Sequence, residues 1–126
     1  MSTEQVITKR NRTAPLPFRE LVEKRVRQEP GFGAALLEEA LERLLVNDVA
    51  SAQLLLHEVV NGTIGFQALA RATGLMEKSL MRMLSTKGNP QARNLFLILH
   101  AIQNLAGVRL EVRAAVDSKR DFVGRE

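Results

Sequence analysis

Cysteine, tryptophan and tyrosine are all missing from this 126-residue chain, and five phenylalanines are its only benzenoid aromatics. Without cysteine there is no disulfide framework and no thiolate metal site. The two histidines, His57 and His100, have no second histidine and no paired carboxylates at ligand spacing, so a metal centre with three or four convergent ligands is not expected. His57 and Glu58 are neighbours on one helical segment and diverge, which argues against acid–base chemistry between them. No glycine-rich phosphate loop is present. The expectation is a protein that is not an enzyme and uses no cofactor.

No apolar run approaches the roughly 20 residues that span a bilayer, so no membrane association is expected. Met1-Ser2-Thr3-Glu4-Gln5 lacks the basic-then-apolar order of a secretory signal, which makes the cytoplasm the expected compartment.

Leucine, alanine, glutamate and arginine dominate what is there, and 45% of residues are hydrophobic, a composition that favours helix around a real core. The net charge of +4 is unevenly spread. Residues 1–30 carry +3, residues 31–62 carry −4, residues 63–116 carry +5, and the last ten balance. A polyanion should therefore meet the second basic block.

Residues 1–16 read as a flexible basic arm, with Lys9, Arg10, Asn11 and Arg12 followed by Pro15 and Pro17. Such an arm either enters a minor groove or serves as a polar tail. Residues 17–113 read as the domain and 114–126 as a tail. Phe18, Leu21, Val22 and Val26 place one helix over about 17–28, ended by Pro30-Gly31. Leu36, Leu37, Ala40, Leu41, Leu44 and Leu45 form the apolar stripe of a second, with Glu38, Glu39, Glu42 and Arg43 facing away. This stripe is read as core, part of it alternatively as a dimer face. Asn47-Asp48 breaks the helix, and Asp48 suits the cap of a third that runs to about Val60 and stops at Asn61-Gly62. Two short helices, 66–72 and 76–85, flank Gly74, and another spans about 91–105. Val108-Arg109-Leu110-Glu111-Val112 alternates as a short strand does, and would need a partner from the N-terminal segment or from a second copy. The resulting fold class is all-α, with five to six helices and a short C-terminal β-strand.

Residues 66–85 meet the demands of a helix-turn-helix one by one. Ala70 is small where the second helix must cross the first. Gly74, four residues later, supplies the positive φ of the turn. Leu69, Leu75, Leu80 and Met83 fall where the two helices must lock together. Fixing these inward leaves Glu77, Lys78, Met81, Arg82 and Ser85 outward on the second helix. Lys78 and Arg82, one turn apart, suit guanine edges or phosphates, and Glu77 suits either a cytosine amine or a stabilising place at the helix start. Gln67, Lys87 and Arg93 flank the motif as phosphate contacts.

The wider pattern, Gly65 to Leu75, Ser79-Leu80, Leu84-Ser85-Thr86-Lys87-Gly88-Asn89-Pro90, then Leu95 to Ile102 and Val108 to Val112, resembles the HigA-like addiction-module antitoxins of the Cro/cI-repressor superfamily. The resemblance covers about residues 35–112, and the Ser-x-x-Gly-Asn-Pro element is its most specific part. It implies a lambda-repressor-like domain that forms a homodimer and binds double-stranded DNA at an operator in its own promoter, acting as a repressor. It also implies neutralisation of a toxin protein, either beside DNA binding or as the main role. By motif position the base-reading residues would be Glu77, Lys78 and Arg82, with Gln67 and Ser85 near phosphates. Two positions depart from the pattern: Met76 stands where a capping serine is usual, and Met81 where an exposed aromatic is common.

Overall fold

The computed structural model describes residues 18–29 and 31–117. Among these the chain forms six helices and no strand: α1 Phe18–Gln28, α2 Phe32–Leu45, α3 Val49–Gly62, α4 Gly65–Thr73, α5 Glu77–Met83 and α6 Ala92–Ala106. The all-α class expected from composition is therefore what the chain adopts. The expected arm over 1–16 and the end of the tail lie outside the described residues, as do the side chains of Phe18, Val22 and Val26. Leu21, expected to face inward, is 47% exposed.

The leucine stripe of α2 builds core. Leu37 and Ala40 are buried, and Leu36, Leu41 and Leu44 pack against the same cluster. Leu45, the last of the stripe and of the helix, is instead 75% exposed, while Leu44 beside it packs on the core. Asn47 then takes a left-handed φ of 67°, a conformation a short polar side chain tolerates. Asp48 Oδ1 accepts the backbone N–H of Ser51 at 3.2 Å and caps α3, as its position in the sequence suggests. The third helix runs through Asn61-Gly62 and is closed one residue later by Thr63, whose hydroxyl donates to the Val59 carbonyl at 2.6 Å.

Helix α3 is the hub: α1, α2 and α4 all pack on it. Its Leu56, Val59 and Val60 join Phe66 and Leu69 of α4, Leu80 of α5, Leu84, and Leu95, Ile98, Leu99 and Ile102 of α6 in one continuous core. Full burial of side chains of this size contributes about 1.5–3 kcal/mol each. The Arg25 guanidinium lies 4.4 Å from the ring centroid of Phe32 and ties α1 to the start of α2.

The strand expected over 108–112 is absent. The segment leaves α6 at Gly107 and folds back on the helix end, with the Val108 N–H donating to the Gln103 carbonyl at 3.0 Å and the Leu110 N–H to Gln103 Oε1 at 2.8 Å. Val108 and Leu110 pack against the core while Arg109 and Glu111 stay exposed, so the period-two pattern of the sequence is present. A ladder is missing because no other described segment is extended alongside it. No helix among the described residues is long and apolar enough to cross a membrane.

Candidate nucleic-acid interface

Helices α4 and α5 are joined by Gly74, Leu75 and Met76. Gly74 has φ +77°, and its N–H donates to the Ala70 carbonyl at 2.9 Å, which closes α4 and turns the chain. No atom lies near enough to obstruct a Cβ there, so the requirement for glycine is conformational rather than steric. Thr73 supports the turn: its hydroxyl donates to the Leu69 carbonyl at 2.8 Å and accepts the Leu75 N–H at 3.2 Å. Leu69 and Leu80 are fully buried, and Ala70, Leu75 and Met83 are half-buried against the core. The residues assigned from the sequence to lock the two helices together thus all face the core.

Helix α5 begins without a side-chain cap. Met76 occupies the capping position with extended backbone, 71% exposed, and its thioether cannot bond the first free N–H groups. Glu77 in the first turn offers charge compensation to those groups. The helix ends at Met83, two residues sooner than the sequence pattern suggested, and Leu84 plugs into the core at 1% exposure.

Its C-terminal end is held from inside by a residue that sequence reasoning passed over. Gln53 of α3 is 4% exposed, and its Nε2 donates to the carbonyls of Met83 at 2.8 Å and Ser85 at 2.9 Å, with Gly88 at 3.3 Å. An –NH2 group carries two hydrogens, so the first two are the main bonds and the third is shared. The only available signal was a polar residue inside the apolar stripe of a buried helix. Gly88 closes the same corner. A Cβ on it would collide with the Arg82 carbonyl oxygen and approach Met83 Cα to 3.0 Å, so the glycine of Ser-x-x-Gly-Asn-Pro lets the loop lie against the end of α5.

The candidate contact residues fall into three groups. Glu77, Lys78, Met81 and Arg82 are all exposed on α5, with Lys78 and Arg82 one turn apart. Gln67 is exposed in the first turn of α4, Lys87 in the turn after α5, and Arg93 in the first turn of α6. Helix α4, which carries Gln67, packs against both α5 and α6, which carry or adjoin the others. Ser85 differs from the rest. It is half-buried, and its hydroxyl donates to the Arg82 carbonyl at 2.8 Å while accepting the Lys87 N–H at 3.3 Å. That leaves its oxygen tied into the turn, which gives it a role in shaping the loop.

The cations of this group outnumber its one carboxylate, Glu77. Among the described residues, Lys78, Arg82, Lys87 and Arg93 have no carboxylate within ion-pair distance, whereas Arg25, Arg43 and Arg109 each have one. Two further exposed residues belong here. Arg71 of α4 adds a cation, and Phe96 of α6, one turn after Arg93, is 62% exposed. Both were visible in the sequence only as positions falling outside the apolar stripes of their helices. Compared with models of protein families, with curated proteins and with solved structures, the chain finds no match.

Proposed function

We propose that this protein is a cytoplasmic, sequence-specific DNA-binding regulator, a dimeric repressor of the antitoxin type that sets α5 into the major groove. The observation that carries this reading is the group of four cations, Lys78, Arg82, Lys87 and Arg93, displayed without ion-pair partners among the described residues around a short helix that is anchored from behind. A seven-residue helix is about 10 Å long, a length that suits a major groove about 12 Å wide. Arg82 and Lys78 would read base edges together with Glu77 and Met81, while Gln67, Lys87 and Arg93 would hold phosphates. Two copies would present their α5 helices about one duplex turn apart on a near-palindromic site.

The test is a titration of the purified chain against the DNA just upstream of its own gene, beside a scrambled duplex of equal length, at several salt concentrations. The reading expects a preference for the upstream duplex and an affinity that falls steeply with salt. Arg82→Ala should relax the preference at one base position, with a cost of about 1–3 kcal/mol on the preferred site. Equal, salt-labile binding to both duplexes would reduce the surface to a basic patch.

A second reading, neutralisation of a protein toxin, draws on the opposite charge of α2. Glu38 and Glu42 are exposed one turn apart there, and neither has a cation at ion-pair distance among the described residues. This face suits a basic protein, and co-purification with the product of the neighbouring gene would test it.

A further inference from the structure

The segment after α6 is a strand edge without a sheet. In extended backbone, alternate amides point to the same side. Val108 and Leu110 both direct their N–H groups at Gln103, so the N–H groups of Arg109, Glu111 and Arg113 face the other way. Among the described residues none of these three has a backbone partner. Beside the segment runs an open groove of about 1150 Å³, with Ala34, Leu41 and Leu45 of α2 and the carboxylates Glu38 and Glu42 on one wall and residues 108–113 on the other. Leu45 is 75%, Val46 63% and Val112 88% exposed, an apolar patch that nothing in the described chain covers. The rest of the α2 leucine stripe is already taken up by the chain's own core.

We infer that this edge is the dimer interface, and that its occupant is the same segment of a second copy, paired antiparallel about Leu110. Two constraints narrow that register, and the place where Gln103 holds the segment selects within it. Gln103 takes the amides of Val108 and Leu110, so the hydrogen-bonded pairs must join odd-numbered residues. Pairing centred on Glu111 would set Glu111 against its own copy and Arg109 against the partner's Arg113, which like charges oppose. Pairing centred on Val112 would set Glu111 against the partner's Arg113, but it would move the pairing off the part of the segment that Gln103 holds, whereas pairing centred on Leu110 keeps it there and sets Arg109 against the partner's Glu111 twice over. It also sets Val108 against the partner's Val112 and so covers the exposed valine. Arg109 and Glu111 already share one face, bridged at 3.0 Å within the chain. The inference rests on the dimeric reading above and specifies the surface that makes the dimer.

The experiment is light scattering on the full-length chain across a concentration series, with no DNA present. Wild type is expected to be a dimer. Arg109→Glu places Glu against Glu across the interface, and Glu111→Arg places Arg against Arg. Each alone should weaken dimerisation at least about tenfold, since opposed charge pairs become like pairs at two places. Mixed in equal amounts the two variants should recover the wild-type dimer, because each supplies the charge the other lacks. A purely intrachain effect of the Arg109–Glu111 bridge gives no such recovery. Wild type monomeric at every concentration, single variants that dimerise like wild type, or a mixture that stays monomeric would each overturn the inference. A wild-type dimer that recovers in this way but ignores its upstream DNA would instead overturn the DNA-binding reading and leave this interface standing.

Discussion

Replacing Gln53 tests whether α5 is held from within. In Gln53→Ala two good hydrogen bonds, at 2.8 and 2.9 Å, disappear, and so do the shared bond to Gly88 and the packing of the side chain. The carbonyls of Met83, Ser85 and Gly88 then lose their donor. These three residues are half-buried, so water can reach part of the space, which argues for the net value of each bond rather than the full desolvation penalty. Two bonds at about 1 kcal/mol each, with a similar amount for lost packing, give about 2–3 kcal/mol. For a domain of this size that corresponds to a fall in Tm of roughly 10–15 °C, measurable by circular dichroism. Gln53→Glu sharpens the test. An ionised carboxylate would face three carbonyl oxygens with no hydrogen to donate, and burial also disfavours its charge, so its folded pKa rises above the unfolded value. A raised carboxyl pKa means the folded state holds the proton more tightly. The stability of Gln53→Glu is therefore greatest below the ordinary glutamate range near about 4.3 and is lost as pH rises through the raised value. Wild type lacks that component. A melting point for Gln53→Ala within about 2 °C of wild type, a shift under about 0.5 kcal/mol, would show that water satisfies the same carbonyls and that Gln53 is not the anchor.

Three other substitutions separate the physical causes at this end of the molecule. Met76→Ser supplies the missing cap, and thermal melting should show a gain of about 1 kcal/mol. Gly88→Ala should cost about 1–3 kcal/mol because its Cβ meets the end of α5, and Gly74→Ala about 1–2 kcal/mol because of its left-handed φ. Gly74→Asn should recover part of that loss and Gly88→Asn none, a contrast that equilibrium urea unfolding can read. The Asp48 carboxyl is held below its usual range, mainly by the Ser51 hydrogen bonds and also by Arg43. Its contribution is therefore present above the unfolded aspartate value and lost as pH falls through the lowered one. Asp48→Asn should lie below wild type in melting point at neutral pH and converge with it in acid.

Much of this architecture is written in periodicity. The stripes of α2, α3 and α6 placed Leu37, Leu56, Val59, Ile98 and Ile102 in the core, and Asp48 and Gly74 marked ends that the chain indeed uses. Misplaced residues share one cause, since periodicity assigns a side chain to a face and cannot say where the neighbouring element stops. Leu45 continues its stripe to the last residue of the helix and is left in solvent. Val108 and Leu110 face the core on either side of exposed Arg109, yet a strand is a property of two segments, and only one is found among the described residues. Gln53 shows the converse. Its neighbours in sequence say it is buried, but its partners are carbonyls 30 to 35 residues away, a relation no local pattern contains. Ser85 has an outward position by spacing and an inward use by hydrogen bonding.

The candidate site consequently divides its labour in a way the sequence motif conceals. Outer residues of α5, Glu77, Lys78, Met81 and Arg82, are exposed and lie outside the core cluster. Their aim is set elsewhere, by Leu80 and Leu84 sunk in the core, by Gln53 gripping the last turn, and by Gly88 letting the loop close over it. A reader of DNA needs a rigid support under a variable face, because a displacement of about an ångström at the contact forfeits a bidentate bond. On the DNA-binding reading proposed above, variation in which bases are read belongs to positions 77, 78, 81 and 82. Variation at Gln53 or Gly88 should weaken every duplex alike, because it moves the whole helix rather than one contact.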